Sequence, residues 1–419
     1  MTSVNKIIKS KFNIYNKNEK IAYKNFPIFK LRAFSPSTFQ KYNFPDKLSS
    51  DYEIWKYLDS QQEFRIVEYF NDHLKYLTDD EMKAIESVAK KYSEYSKFFN
   101  RGTIPIGINQ MISSISTIRS LLSYQKSKSL NVLEIGPGSG MLGLLANHFK
   151  INYSAFDITN AFSIHIMSLY TFFFKKKFKD FALIPFSNKD IIHKKNTNLS
   201  FFPWWHFLNT KFALPKFDFI IMNACFFEID EKALYFIFNR LGAHGQRQNI
   251  LINDWGSKVF SRLNNEKIIK MESAFNIKKE QIFNYNNIHI PETQCFFSYK
   301  LSSKPLDFET ATKKVELRPG YELDLKNKKL KIDNVKEKFF FKVIKKVKNL
   351  LFREREIKEP KVLGVNNIII NKSNKNNNLK KIDYNQFLLR IKKIEKLNGK
   401  PCFTEDELFG YYLNSKEHW

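Results

Sequence analysis

The sequence predicts an α/β protein built on a doubly wound, mostly parallel sheet. Three observations predict it. Between residues 130 and 300, short apolar runs alternate with helical stretches. Those runs are continuous rather than alternating, which suits strands covered on both faces. The first of them leads into a glycine-rich turn, Gly136 to Gly143, that opens directly into a helix. A mostly helical region precedes this part and a basic extension follows it. The expected division is therefore 1–125, 126–300 and 301–419.

Residues 1–50 are polar and aromatic, with Pro27, Pro36 and Pro45 spaced along them, and read as an irregular surface arm. Residues 51–98 carry helical spacing through Leu74, Leu77 and the run from Met82 to Val88. Thr78-Asp79-Asp80-Glu81 is a capping box ahead of that run, which explains its carboxylates without chemistry. Met111, Ile115, Ile118 and Leu122 predict a helix over about 107–123. Strands are expected at Leu130–Ile135, Tyr153–Phe156, Phe181–Ile184, Phe217–Asn223 and Asn249–Asn253. Beyond 300, Lys314–Leu317, Tyr321–Leu325 and Leu330–Ile332 alternate apolar and polar and predict a small β-meander. Residues 334–356 form a basic amphipathic helix, residues 371–378 a low-complexity loop and residues 379–398 a further helix. A short helix runs from 403 to the last residue.

Composition narrows the class. At 43% hydrophobic and 26% charged residues, the chain is neither disordered, collagenous nor a disulfide scaffold. Cys225, Cys295 and Cys402 stand far apart and form no C-x-x-C, so a reducing cytoplasm fits best. No run of ~18 apolar residues predicts a transmembrane helix, and the start lacks a secretory apolar core. The net charge of +27 accompanies abundant Lys, Asn, Ile and Phe (42 of the last). That bias reads first as an AT-rich coding sequence, and second as a preference for anionic partners.

The glycine turn admits two ligands. Gly138-x-Gly140-x-x-Gly143 matches a dinucleotide fingerprint, with Asp157 lying 157 − 138 = 19 residues on. The fuller pattern is Glu134-x-Gly136-x-Gly138-x-Gly140. It resembles motif I of the class I S-adenosylmethionine-dependent methyltransferases. A carboxylate two residues before the first glycine suits a cationic amino group better than a pyrophosphate. The resemblance implies a Rossmann-like fold with S-adenosyl-L-methionine as cofactor. It implies that Glu134 lies near the ligand's ammonium, that Gly136, Gly138 and Gly140 pass beneath its methionine portion, and that Asp157 takes the ribose hydroxyls. Asn223, ending the fourth strand, would border the cofactor.

Glu134 to Leu142, preceded by a long helical region and followed by Phe202-Pro203-Trp204-Trp205, also looks like the sugar O-methyltransferases of bacterial capsule and lipopolysaccharide loci. That resemblance covers roughly 50–300. It implies methyl transfer to a hydroxyl of a sugar or sugar nucleotide in polysaccharide biosynthesis, in the cytoplasm.

A sugar hydroxyl needs a base within ~3 Å. Three residues are candidates: Glu228 after the fourth strand, Asp254 after the fifth, and His206 in the loop after Trp204-Trp205. Their plainer readings are a helix-terminal acid, a turn-forming Asp and a surface or packed His. Trp204 or Trp205 would stack on a sugar or adenine face, or fill the core. His165 reads as packed and His148 as surface. No hard-metal spacing appears, so a divalent metal is left unsupported. Nucleic-acid methyltransferases with Asn/Asp-Pro-Pro-Tyr/Phe at the fourth strand are a rival, but Asn223-Ala224-Cys225-Phe226 lacks both prolines. A nucleic-acid-binding protein or a non-catalytic scaffold of the same fold is the alternative. The helix at 334–356 either packs on the catalytic domain or lies on the inner face of a membrane.

Overall fold

The computed structural model describes residues 3–25, 67–99, 106–124, 129–184 and 247–253. It also describes 198–242 apart from 211, 213, 227, 228 and 230, shorter pieces between 48 and 65 and between 267 and 316, and 380–397.

The sheet is the framework. Its strands are β2 (Asn131–Ile135), β3 (Asn152–Asp157), β4 (Phe178–Asp180), β5 (Leu199–Pro203), β6 (Phe219–Asn223), β7 (Arg247–Asn253), β8 (Gln281–Ile282) and β9 (Gln294–Lys300). Their order is β4-β5-β3-β2-β6-β7-β9-β8. The first six in this order pair in parallel, while β9 runs antiparallel to both β7 and β8. This is the expected Rossmann-like doubly wound sheet. From β5 to β7 it follows the 3-2-1-4-5 order of nucleotide-binding folds. It departs from them at the far edge, where β9 inserts antiparallel. Connections leave β2 toward β3 on one side and β6 sits on the other, so the order reverses between β2 and β6. Ligands of open α/β sheets lie at such a reversal, beyond the carboxyl ends of the strands.

Helices cover the sheet. They include α1 (Ser3–Asn25), α2 (Val67–His73), α3 (Asp79–Lys97), α4 (Ile108–Tyr124), α5 (Met141–His148) and α6 (Asn160–Phe174). Further on come α7 (Trp204–Leu208), α8 (Glu231–Gly242), α9 (Phe308–Glu316) and α10 (Tyr384–Leu397). The capping box before α3 is formed as expected, Thr78 and Glu81 each satisfying the other's backbone N–H. One apolar core joins the strands to these helices.

Four expectations are corrected. The start of the chain is not an irregular arm: α1 buries Ile8, Phe12, Tyr15 and Ala22 at helical spacing. Phe181–Ile184 is not a strand. The strand is β4, just before it, and Asp180 ends it by accepting from the Ala182 N–H at 3.0 Å and turning the chain into a 3-10 turn. Lys314 to Glu316 is not a strand either, but the last turn of α9, whose start is capped by Asp307 (Thr310 N–H to Oδ1, 3.0 Å). Strands β5, β8 and β9 were not expected. Tyr321–Leu325, Leu330–Ile332, the helix at 334–356, the loop at 371–378 and the last helix lie outside the described residues.

The expected helix at 379–398 is α10, and it returns to the front of the chain. The two-residue strand β1 (Leu77–Thr78) pairs with β10 (Lys381–Ile382). Glu395 takes the Arg65 guanidinium (Nη1 at 2.9 Å), and Phe387 stacks on Phe70 with ring centroids 5.5 Å apart. No described helix is long and apolar enough to cross a membrane.

Candidate cofactor site

The site is built where β2, β3 and β6 end side by side. After Ile135 the chain makes its turn with Gly136, Gly138 and Gly140 all left-handed, at φ +69°, +50° and +75°. Only glycine takes such angles without strain. Two of these glycines are also packed. A Cβ at Gly136 would lie 3.0 Å from the Cys225 sulfur, and one at Gly140 would lie 2.7 Å from Ile166 Cδ1. Gly138 differs, because a Cβ there would meet nothing within 4 Å. The turn therefore leaves room where a Gly138 side chain would stand.

Behind the turn, Gly140 begins α5 with no side chain capping it. The first N–H groups of α5 and the positive end of its dipole face the same region. The neighbours that hold the turn are buried: Tyr170 donates to the Gly140 carbonyl at 3.1 Å, and His165 Nε2 lies 3.3 Å from the Ser139 carbonyl. Burial pushes His165 down to about 4, so it is neutral. It is packed, as expected. His148 is exposed, as expected, with Asp80 at 3.3 Å.

Two buried carboxylates flank the turn. Asp157 ends β3. Its Oδ1 accepts from the backbone of Ile158 (2.7 Å) and Thr159 (2.8 Å) and from the Thr159 hydroxyl (3.0 Å). Among the described residues, Oδ2 accepts no hydrogen bond. The carboxylate is thus clamped through one oxygen. Burial raises its pKa to about 6.

Glu134, in β2, is 2% exposed. The Tyr153 hydroxyl donates to its Oε2 in a short bond, and Asn223 Nδ2 donates to its Oε1 at 2.7 Å. Burial raises it to about 7, against the two hydrogen bonds that lower it; Asp157 adds a smaller rise. A structural acid at this position would be paired with a cation. The partners of Glu134 are instead a phenol and an amide, so its charge has no cationic neighbour among them.

Asn223 ends β6, half-buried. Next to it, Ala224 sits at φ +52°, a strained angle for a residue with a Cβ, and its N–H bonds the Asn253 carbonyl at 2.6 Å. This turn brings the β6 exit against the glycine turn, where the Cys225 thiol bonds the Ile135 carbonyl at 3.0 Å. The structure thus brings together Glu134, Gly136, Gly138, Gly140, Asp157 and Asn223.

It does not bring His206 to them as a base. His206 lies in α7, fully buried, its ring stacked on Phe212 at 4.6 Å and its Nε2 3.1 Å from the Ile184 carbonyl. Burial lowers its pKa to about 4. This is the packed reading, because a ring closed on all sides cannot meet a substrate hydroxyl. Trp204 and Trp205 are likewise core, with Trp204 Nε1 donating to Glu19 at 3.2 Å and Trp205 packed on Tyr15 at 5.0 Å. Glu228 and Asp254 lie outside the described residues. No group of three His, Cys, Asp or Glu placed to hold a metal occurs among the described residues.

The sequence reading missed Tyr153 and the row Ser113, Ser116, Thr117 and Ser120 on α4. The signal for the row was present. These hydroxyls recur at i, i+3, i+4 and i+7 in a helix whose other residues are largely apolar, with Arg119 its one charged residue. A polar stripe without charges points to a buried polar partner rather than to water.

No protein-family profile matches this chain, and no curated protein matches it. Solved structures do resemble it. One is MtNAS in complex with MTA and tNA, at 10% identity over 68% of this chain and 98% of that one, TM-score 0.33. Another is a SAM-dependent methyltransferase from Aquifex aeolicus, at 13% identity over 51% and 97%, TM-score 0.28. A third is the mitomycin 7-O-methyltransferase MmcR, at 11% identity over 52% and 60%, TM-score 0.31.

Proposed function

We propose that this protein is an S-adenosylmethionine-dependent O-methyltransferase acting on a hydroxyl of a sugar or sugar nucleotide. One observation carries the cofactor. Two buried carboxylates, Glu134 and Asp157, flank a left-handed glycine turn at the reversal point of the sheet. A pyrophosphate in that turn would face both negative charges, whereas a ligand bearing an ammonium and a ribose suits them. The antiparallel β9 also sets the sheet apart from dinucleotide folds.

In this reading Asp157 Oδ2 accepts from the ribose hydroxyls. The glycine turn, with room beside Gly138, passes beneath the methionine portion, and Glu134, held by Tyr153 and Asn223, balances the ammonium. Bound S-adenosylmethionine supplies a methyl carbon activated by its sulfonium. The chain's own work is then to align the acceptor and to take its proton. Glu228 and Asp254, which follow β6 and β7, are the proposed bases. The sugar acceptor, a role in capsule or lipopolysaccharide synthesis, the cytoplasmic site and membrane contact through 334–356 rest on the sequence resemblance and on the basic composition.

The test is calorimetric titration of the full chain with S-adenosylhomocysteine, with NAD⁺ and an oligonucleotide as controls. Micromolar binding of the first alone is expected, followed by methyl transfer from labelled S-adenosylmethionine to a member of a sugar-nucleotide panel. Binding of NAD⁺ instead would overturn the reading. Salt-dependent oligonucleotide binding without S-adenosylhomocysteine binding would move it to the nucleic-acid alternative.

A further inference from the structure

The polar stripe of α4 meets the ends of β6, β7 and β9. Asn253 Nδ2 reaches Ser113 Oγ at 2.9 Å, the Ser113 carbonyl at 3.4 Å and Thr117 Oγ1 at 3.1 Å. The Thr117 hydroxyl lies 3.2 Å from Asn223 Oδ1, and Asn223 Nδ2 lies 2.7 Å from Glu134 Oε1. Beside this line, Gln294 bonds Ser116 (2.9 Å) and Ser120 (2.7 Å).

Hydrogen-bond chemistry gives the line a direction. A backbone carbonyl can only accept, so the end of Asn253 that faces Ser113 is its NH₂ group. That same nitrogen can only donate to Thr117, which leaves the Thr117 proton for Asn223. Asn223 must then accept with Oδ1 and turn Nδ2 to Glu134. Every proton in the chain points toward the one carboxylate, and Tyr153 donates to it from the other side. Chains aligned in this way strengthen one another in a buried setting.

We propose that Thr117 is a positioning residue for the cofactor site, holding the Asn223 amide in the orientation that keeps Glu134 an ionised acceptor. The inference rests on the proposed cofactor reading for its consequence, but its geometry does not. Without the Thr117 proton, nothing on α4 distinguishes the two ends of the Asn223 amide. A flipped amide would aim oxygen at Glu134, and the carboxyl would protonate to answer it. The titratable groups that face Glu134 are Tyr153 and Asp157 from β3 and Tyr170 from α6, none of them cationic. The amide is thus a main support of the charge.

The test uses Thr117→Val, which keeps the shape and removes the hydroxyl, with Thr117→Ser as the conservative control. Two readouts are taken on the full chain. The first is the protonation midpoint of Glu134 in the ligand-free protein, from its carboxyl infrared band identified by difference against Glu134→Gln. The midpoint is expected to rise by about one pH unit in Thr117→Val and to return in Thr117→Ser. The second is S-adenosylhomocysteine affinity at pH 7.5, expected to fall about threefold in Thr117→Val, because moving the midpoint up one unit from about 7 cuts the ionised fraction of Glu134 at that pH from about three quarters to about one quarter. An unmoved midpoint would overturn the inference, even if the variant were less stable. A moved midpoint with no S-adenosylhomocysteine binding in any form, wild type included, would leave the positioning role standing and sink the cofactor reading instead.

Discussion

Asp157 and Pro203 are partners across the ladder of β3 and β5, yet the two strand ends lead to opposite places. After β2 the backbone turns left-handed through three glycines, and after β3 the Asp157 carboxylate is held through one oxygen. After β5 the chain enters α7 at once, and Trp204, Trp205, His206 and Phe207 fill the interior with their rings. Both ends lie on the edge where open sheets bind ligands. The difference teaches that strand position nominates a site, while the residue that follows decides between opening it and sealing it.

Four experiments break or sharpen this contrast. The largest effect belongs to the sealed end. Trp205→Ala should cost about 3–5 kcal/mol in urea unfolding, because Trp205 is fully buried against Tyr15 and Trp204. Where that variant still folds, its S-adenosylhomocysteine affinity should be within a few fold of wild type.

Asp157→Asn should do the reverse. Affinity should fall on the order of 100-fold, about 2–3 kcal/mol, with little change in the unfolding midpoint. Equal losses in both would make Asp157 a turn-holder and no more.

The third contrast is in pH, and the signs are opposite. Glu134 is raised from an ordinary 4.5 to about 7. The folded state then holds its proton longer than the unfolded one, so this group's contribution is present below about 4.5 and is lost as pH rises toward 7. His206 is lowered from 6.5 to about 4. Its contribution is present above about 6.5 and is lost as pH falls toward 4. Thermal unfolding between pH 4 and 7.5 should therefore show Glu134→Gln and His206→Gln tilting the profile in opposite senses, each by on the order of 2 kcal/mol. Tilts of the same sign would contradict the burial assigned to one of them.

The smallest expected change in stability is Gly138→Ala. Its Cβ meets nothing, so only the left-handed angle costs, about 1 kcal/mol. Its cofactor affinity should nevertheless drop at least about 10-fold if the ligand occupies the space that the glycine faces. Gly143→Ala makes the control, because its Cβ would lie 2.1 Å from the Tyr170 hydroxyl and the variant should lose stability first.

Much of this contrast was legible in the amino-acid sequence. The strands β2, β3, β6 and β7 were found because their runs are continuous and apolar, and the glycine turn because three glycines at alternate positions have few other uses. The sealed end was not legible. In β5 the run Leu199-Ser200-Phe201-Phe202-Pro203 is interrupted by a serine whose hydroxyl bonds Ser154 across the strands at 2.7 Å, and a proline closes it. A buried polar pair of this kind looks, from one strand alone, like a loop.

Helix α1 was hidden in the same way. Its inward face includes Asn18, bonded to the Ala182 carbonyl at 2.9 Å, and Glu19, which takes Asn160 at 2.7 Å. Those residues made it read as surface. His206 was misplaced because a loop histidine beside aromatics has the same sequence signature packed or exposed. In each case the missing information was the partner, which stands far away in the chain.

The bond between Arg65 and Glu395 spans 330 residues, and β1 waits nearly as long for β10. A ribosome adding about 5–20 residues each second needs roughly 15–65 seconds to cover that distance. Throughout that interval Phe70 has no Phe387 to stack on, and Arg65 has no Glu395 carboxylate. Closing so large a loop is also slow on entropic grounds. The front layer of this protein is thus made early and completed late. During synthesis it is the part of the described fold that chaperones and proteases meet longest.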